Sequence, residues 1–404
     1  MLNDALPATP RLALLQPYPF ERLKELTAGV TGPAHLPPVR LSIGEPQHAT
    51  PQLIKDALVG ALDGLSVYPT TAGIDALREC IADWLQRRYR LARVDAATQV
   101  LPVNGSREAL FSFAQSVIDA SRPGAKVLAP NPFYQIYEGA ALLAGAAIGF
   151  YNQLPEDGFA CNFDRIPSAD WAGVQLVYVC SPANPCGKVM TLDEWRTLFE
   201  LADRHGFVIA SDECYSEIYF DESAPPLGGL EAAQALGRQG FERLVVFSSL
   251  SKRSNVPGLR SGFVAGDARL LKRFLLYRTY HGGAMGLAVQ RASIAAWRDE
   301  SHVRDNRDQY RAKFAAVQPV IDAVMPAPLP DASFYLWART PLPDDEFARR
   351  LLAEYNVAVL PGSYLARTAH GINPGAGFVR IALVAPAGEC SEAAERIAQF
   401  CRAL

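Results

Sequence analysis

The chain has 404 residues, 49% apolar and 20% charged, a length and composition that suit one large or two modest soluble globular domains. Its net charge of −3 gives no reason to expect nucleic acid or an anionic membrane surface as a partner, and runs such as 174–180 are far too short to span a bilayer. Seven scattered cysteines without a C-x-x-C pair argue against a disulfide framework or a zinc site, and read as reduced thiols of a cytoplasmic protein with no metal.

Residues 1–7 lack the basic and apolar regions of a signal peptide. Prolines at 7, 10, 17, 19, 33, 37 and 38 punctuate an extended arm with one predicted helix, 20–29. Such an arm is usually tied down by packing, and a partner subunit is a candidate. Residues 41–46 predict a strand running into a turn. Thr50-Pro51 opens a helix over about 52–62, with Pro51 expected at its first position. After a loop at 67–73, helical spacing places Ile74, Leu77, Ile81, Trp84 and Leu85 on one face. The turn 103–107 precedes a helix with an apolar stripe at Leu110, Phe113, Ala114, Val117 and Ile118. The free N–H groups of Gly105, Ser106 and Arg107 make either a phosphate seat or an ordinary helix start.

Strands are predicted at 126–129, 147–150, 174–179, 207–210 and 244–247, separated by helical or turn-rich segments, and 263–266 returns into structure. Several runs are apolar on both faces, the mark of a mostly parallel sheet covered by helices on both sides. From about residue 299 the texture changes. A charged helix over 299–324 leads to apolar runs at 332–337, 357–360 and 378–383, with helices at 344–355 and from 390 onward. The expected fold is therefore α/β, a mostly parallel sheet flanked by helices, with a smaller α+β domain.

The chemistry lies at the strand ends. Run 174–180 delivers Asn184-Pro185, run 207–210 delivers Asp212 and Tyr215, and run 244–247 delivers Ser249 and Lys252. In a parallel sheet these ends meet along one edge, where open α/β sheets bind ligands. Each residue alone has an ordinary reading: a turn, a helix cap, a core phenol, a solvated lysine. Together an amide, a carboxylate, a phenol and a lysine suit a pyridine aldehyde such as pyridoxal 5′-phosphate (PLP). That cofactor needs a lysine for its Schiff base, a carboxylate on the ring nitrogen, donors to the ring hydroxyl and a phosphate seat. A rival is the S-x-x-K serine nucleophile in Ser249-Leu250-Ser251-Lys252, but its companions S-D-N and K-T-G are missing.

Ser249-Leu250-Ser251-Lys252 with Pro257-Gly258-Leu259-Arg260 is similar to the Schiff-base signature of class I/II (fold-type I) PLP-dependent aminotransferases. Asn184-Pro185 with Gly187, Asp212 to Tyr215, and Arg380 are spaced as in that family. The resemblance implies an aspartate-aminotransferase-like fold. Residues 1–45 would form an arm and part of the small domain, 46–295 the large PLP-binding domain, and 296–404 the small C-terminal domain. It implies Lys252 as the Schiff-base lysine, Asp212 on the ring nitrogen, and Asn184 and Tyr215 on the ring oxygen. Gly105, Ser106, Arg107, Ser249 and Arg260 would form the phosphate cup, and Tyr134 would stack on the ring. Arg380 and Gly44 would hold the substrate carboxylate. Tyr68 would reach the phosphate of a partner, which implies a homodimer with active sites at the interface and small amino and oxo acids as substrates.

Arg253-Ser254-Asn255-Val256 with the stretch 277–285 resembles N-succinyldiaminopimelate aminotransferases of lysine biosynthesis. That substrate carries a remote carboxylate, which extra arginines near the pocket would suit. Arg253 reads either as such a cation or as a solvated loop residue. The alternatives are a general aspartate or aromatic aminotransferase, or a PLP lyase on the same scaffold.

Overall fold

The computed structural model describes residues 9–404, so the expectation for residues 1–7 lies outside the described residues. The first strand, β1 (Val39–Arg40), belongs to the far end of the chain: it pairs in parallel with β10 (Val357–Ala358). Between them runs a seven-stranded sheet. Its members are β2 (Val100–Val103), β3 (Lys126–Asn131), β4 (Ala147–Asn152), β5 (Val174–Cys180), β6 (Val208–Asp212), β7 (Leu244–Ser249) and β8 (Gly262–Gly266). Their order is β2-β8-β7-β6-β5-β3-β4, with β8 alone antiparallel to its neighbours. The carboxyl ends of the other six therefore share one edge.

The apolar runs are continuous because both faces are covered. In β5, Val177 and Val179 pack in one core cluster while Leu176 and Tyr178 pack in another across the sheet. In β7, Leu244 and Val246 divide from Val245 and Phe247 in the same way. Sequence reading missed β2, whose Pro102 argues against a central strand. It is an edge strand, where a missing N–H is tolerated. Pro51 precedes its helix, Gln52–Val59, at the N-cap rather than opening it.

The smaller domain is built on a three-stranded antiparallel sheet, β11 (Leu360–Pro361), β12 (Phe378–Ala382) and β9 (Tyr335–Arg339) in that order. Three helices pack on it: Ser301–Asp322, Asp344–Tyr355 and Ala387–Arg402. Phe314, Phe347, Ile397 and Phe400 fill the core between them, joined by Val39 and Leu41. The apolar run 357–360 divides into two strands. Its first half pairs with the N-terminal segment and its second half with β12. Among the described residues no helix is long and apolar enough to cross a membrane.

Beneath the shared edge, Glu213 is buried just past β6. Its carboxylate accepts from Ser211 Oγ (2.9 Å), Gly229 N (2.7 Å) and Tyr89 OH (3.3 Å). Burial outweighs these donors and pushes its pKa from 4.5 up to about 7. The folded protein thus holds a proton that the unfolded chain releases, so stability is full below pH 4.5 and falls as pH rises through 7. Chemical denaturation across this range should show a loss of up to about 3 kcal/mol. Glu213→Gln is expected to flatten that slope, and an unchanged slope would place the titration elsewhere.

Candidate active site

A cavity of about 440 Å³ opens at the carboxyl ends of the strands, between the two sheets. Lys252, Asp212, Asn184 and Tyr215 line it. Ser106, Arg107, Tyr134 and Arg260 line it too, and Gly44 and Arg380 complete the wall. Four strand ends supply most of these groups. β2 leads through Gly105 into the helix Ser106–Val117, whose free N–H groups form a donor cluster at the positive end of the helix dipole. β5 leads to Asn184, β6 to Asp212 and Tyr215, and β7 to Lys252.

Gly105 is required at its position twice over. Its φ is +86°, and a Cβ there would lie 2.4 Å from Arg260 Nη2. The bare backbone lets the Arg260 guanidinium lie against the helix start, so a cation and a row of N–H groups face one point. That arrangement suits a phosphate.

Asp212 is 4% exposed, and burial pushes its pKa up. Hydrogen bonds and Lys252 oppose the shift. Its Oδ2 accepts from Tyr137 OH at 2.8 Å and its Oδ1 from Cys214 N at 3.3 Å. Tyr215 OH lies 3.0 Å from Tyr335 OH. Burial and its phenol neighbour Tyr335 raise the Tyr215 pKa well above the usual tyrosine value.

Arg380 on β12 spans three segments. Nη1 donates to Asn184 Oδ1 (2.9 Å) and Nη2 to Ser42 O (2.9 Å), while the guanidinium carbon sits 4.3 Å from the Tyr335 ring centroid. Its Nε is buried without a partner. Gly44 has no room for a side chain, since a Cβ would fall 1.9 Å from the Tyr335 hydroxyl. Arg107 Nε donates to Tyr134 OH at 2.7 Å.

Three expected groups stand apart. Gly105 sits behind the wall, and its N–H, expected to be free, donates to Val103 O (2.8 Å), so what it offers the site is the room for Arg260. The Ser249 hydroxyl accepts from Ser251 N at 3.1 Å as an N-cap and does not line the cavity, whereas Ser251 does. Tyr68 is 98% exposed and does not line the cavity of this chain.

Other residues escaped sequence reading. Tyr137 follows Tyr134 by three positions and its N–H donates to Tyr134 O (3.0 Å) in the turn before the helix Ile136–Ala144, so that spacing was the available signal. Tyr335 carries no local signal, because it sits inside an apolar strand. Tyr18, Pro19 and Phe20, from the proline-rich arm, also line the cavity, so the arm packs against its own chain's site.

Arg253 fits neither expectation. It is 1% exposed and turned away from the cavity, with its guanidinium 5.5 Å and 4.8 Å from the rings of Trp84 and Trp297. Nη1 donates to Ala296 O (2.7 Å) and Nη2 to Glu300 Oε1 (2.6 Å). Arg278, in the stretch 277–285, is also buried and holds both oxygens of Glu108 at 2.7 Å. Neither arginine lines the cavity.

The donor set fits PLP. A lysine amine and a buried carboxylate share the cavity, and the Gly105 backbone with Arg260 forms a seat that a side chain at 105 would fill. The chain belongs to the family described as aminotransferase class I and II, which it matches over residues 37–397. Its fold is aspartate-aminotransferase-like and its cofactor is PLP. It is similar to a crystallised aminotransferase of Neisseria meningitidis, with 54% identity, a TM-score of 0.94, and coverage of 97% of this chain and 100% of that one. It is 31% identical to an LL-diaminopimelate aminotransferase of Maridesulfovibrio salexigens, over 96% of this chain and 98% of the relative. It is 33% identical to the 4-dedimethylamino-4-oxo-anhydrotetracycline transaminase OxyQ of Streptomyces rimosus, over 89% and 92% respectively.

Arg253→Ala should open a gap between two indoles and strip two carbonyls of a charged donor. The expected loss is roughly 3–5 kcal/mol of unfolding free energy. The ratio of kcat/KM between substrates with and without a remote carboxylate should stay constant. A changed ratio at unchanged stability would return Arg253 to the substrate.

Proposed function

We propose that this chain moves an amino group between glutamate or 2-oxoglutarate and N-succinyl-diaminopimelate, a step of lysine biosynthesis. The observation that carries the substrate reading is a surplus of guanidinium. Arg260 beside Gly105 suits the cofactor phosphate and Arg380 suits a substrate α-carboxylate, which leaves Arg107 in the same cavity for a remote carboxylate. Relatives that are LL-diaminopimelate aminotransferases support the carbon skeleton. A second reading, free LL-diaminopimelate, draws on those relatives and on Glu45, a cavity carboxylate suited to a remote ammonium.

When bound, PLP supplies an aldehyde and a ring that accepts the electrons released at the substrate α-carbon. In this reading Lys252 Nζ would hold the cofactor and, as a neutral amine, would take up and return the proton of the substrate α-carbon. Asp212 would hold the proton on the ring nitrogen, and Tyr137 orients Asp212. Asn184 and Tyr215 would hold the ring oxygen, and Tyr134 would cover the ring. The backbone N–H groups of Ser106 and Arg107 and the Arg260 guanidinium beside Gly105 would seat the phosphate, which leaves the Arg107 guanidinium for the remote carboxylate; Ser249 acts through its cap on Ser251. Gly44 and Arg380 orient the α-carboxylate.

We further propose a homodimer. Val59, Leu65, Val67 and Tyr68 are exposed at 65%, 77%, 67% and 98% along one stretch, an apolar surface that a second copy would cover. Tyr68 would then reach the partner's phosphate. Sedimentation should return twice the chain mass of 43.9 kDa, and a monomer at working concentration would remove this role for Tyr68.

The chemistry is tested by Lys252→Ala, which should lose the visible absorbance of lysine-bound cofactor and all turnover. Persistence of the band would displace Lys252 from its role. Turnover should require an oxo acid, whereas turnover without one marks a lyase. N-succinyl-diaminopimelate should give a higher kcat/KM than LL-diaminopimelate, aspartate or aromatic amino acids. Arg107→Gln should narrow that lead by roughly 10-fold, as expected for one charge-assisted hydrogen bond. A win by LL-diaminopimelate favours the second reading, and a win by aspartate overturns both.

A further inference from the structure

The turn that carries Lys252 is gripped from one side by the head of the helix Ser301–Asp322 and the residues just before it. Arg253 reaches Asp299 O (3.3 Å) and Glu300 Oε1 (2.6 Å). Ser254 Oγ lies 2.8 Å from His302 Nε2. Asn255 Nδ2 donates to Asn306 Oδ1 at 2.9 Å. Asn306 Nδ2 donates to the main-chain oxygen of Lys252 itself at 3.1 Å.

Asn306 is 1% exposed and has a second polar neighbour on its oxygen, His48 Nδ1 at 2.8 Å. The other ring nitrogen, His48 Nε2, is 2.6 Å from Lys313 Nζ. Lys313 is 2% exposed, and its Nζ also donates to Leu383 O (3.1 Å) and Val384 O (3.4 Å). An ammonium has three protons and no lone pair, and here it meets three acceptors. That arithmetic fixes the rest. His48 Nε2 must accept, so Nδ1 carries the ring proton. Nδ1–H must donate, so the Asn306 oxygen faces it. The Asn306 amide nitrogen is then left facing Lys252 O. Each link has one direction, from a buried ammonium to the backbone of the lysine.

The surroundings keep the links in these states. Burial lowers the Lys313 pKa to about 8, so it remains an ammonium at neutral pH. Burial and Lys313 lower the His48 pKa, so its ring stays neutral. The Tyr310 ring, 4.6 Å from His48, and the Cys390 thiol are the other titratable groups near the pair. Leu383 and Val384 follow directly on β12, the strand of Arg380.

We propose that Asn306, oriented by His48 and Lys313, is a positioning group for Lys252 that ties its backbone to the strand bearing Arg380. The proposal rests on the reading of Lys252 as the cofactor lysine. It assigns three residues with no contact to the reacting atoms a role in placing the lysine amine, so that movement of β12 toward a bound carboxylate is felt at Lys252.

The test is a pH titration of the visible band of holoenzyme, with cofactor content and thermal unfolding measured alongside. Lys252→Ala is the control: loss of its band validates Lys252, independently of what Asn306 does. Asn306→Leu matches the side chain in size and introduces no charge. It should move the midpoint of the band by about half a pH unit or more, the shift that loss of one net hydrogen bond carries. His48→Phe keeps a ring against Tyr310 and leaves Asn306 free to turn over. It should move the midpoint in the same direction by less, and it decides the matter if Asn306→Leu fails to fold. Lowered stability with the midpoint unmoved in the folded variants would reduce Asn306 to a structural role and overturn the proposal.

Discussion

A carboxylate buried at the end of a central strand is the constraint on which this molecule turns. Burying an unpaired charge costs several kcal/mol. Asp212 is nearly inaccessible, yet its direct partners are one phenol and one backbone N–H. Lys252 supplies a favourable opposite charge nearby. The sheet around them is covered on both faces, which keeps water from Asp212 and makes the electrostatics between these groups stronger than at a surface. A helix-flanked parallel sheet is thus also what gives the carboxylate its leverage.

The second organising group is Arg380. Its two terminal nitrogens bind a side chain delivered by β5 and a carbonyl from residue 42, and its ring neighbour Tyr335 comes from β9. Three distant parts of the chain therefore meet at one guanidinium. The N-terminal segment around Val39 belongs structurally with the C-terminal strands, since β1 pairs with β10 and Leu41 lies in the small-domain core. The cavity exists because the chain returns to its beginning.

The turn 252–255 shows how function and architecture divide within four residues. Lys252 faces the cavity, while Arg253, Ser254 and Asn255 face the helix Ser301–Asp322 and the residues just before it. An arginine beside a lysine proposed to hold the cofactor invites a substrate role. Here it lies between two indoles, bonded to a carboxylate and helix-end carbonyls, and stiffens the turn instead.

The sequence by itself determined the strand runs, because a strand buried on both faces must be apolar at every position. It also determined the residues at the strand ends, because a parallel sheet delivers them to one edge whatever the details of packing. Lys252, Asp212, Asn184 and Tyr215 were legible for that reason, and Arg380 through its spacing in a known family pattern. Only the tertiary structure decided direction. Whether Arg253 points in or out, whether the Ser249 hydroxyl caps its own turn, and whether Pro102 lies at an edge depend on partners far along the chain or on local hydrogen-bond competition. Tyr335 and Asn306 were invisible for the same reason. Their significance lies in what their polar atoms meet across the fold, and a side chain's type and local spacing do not specify that.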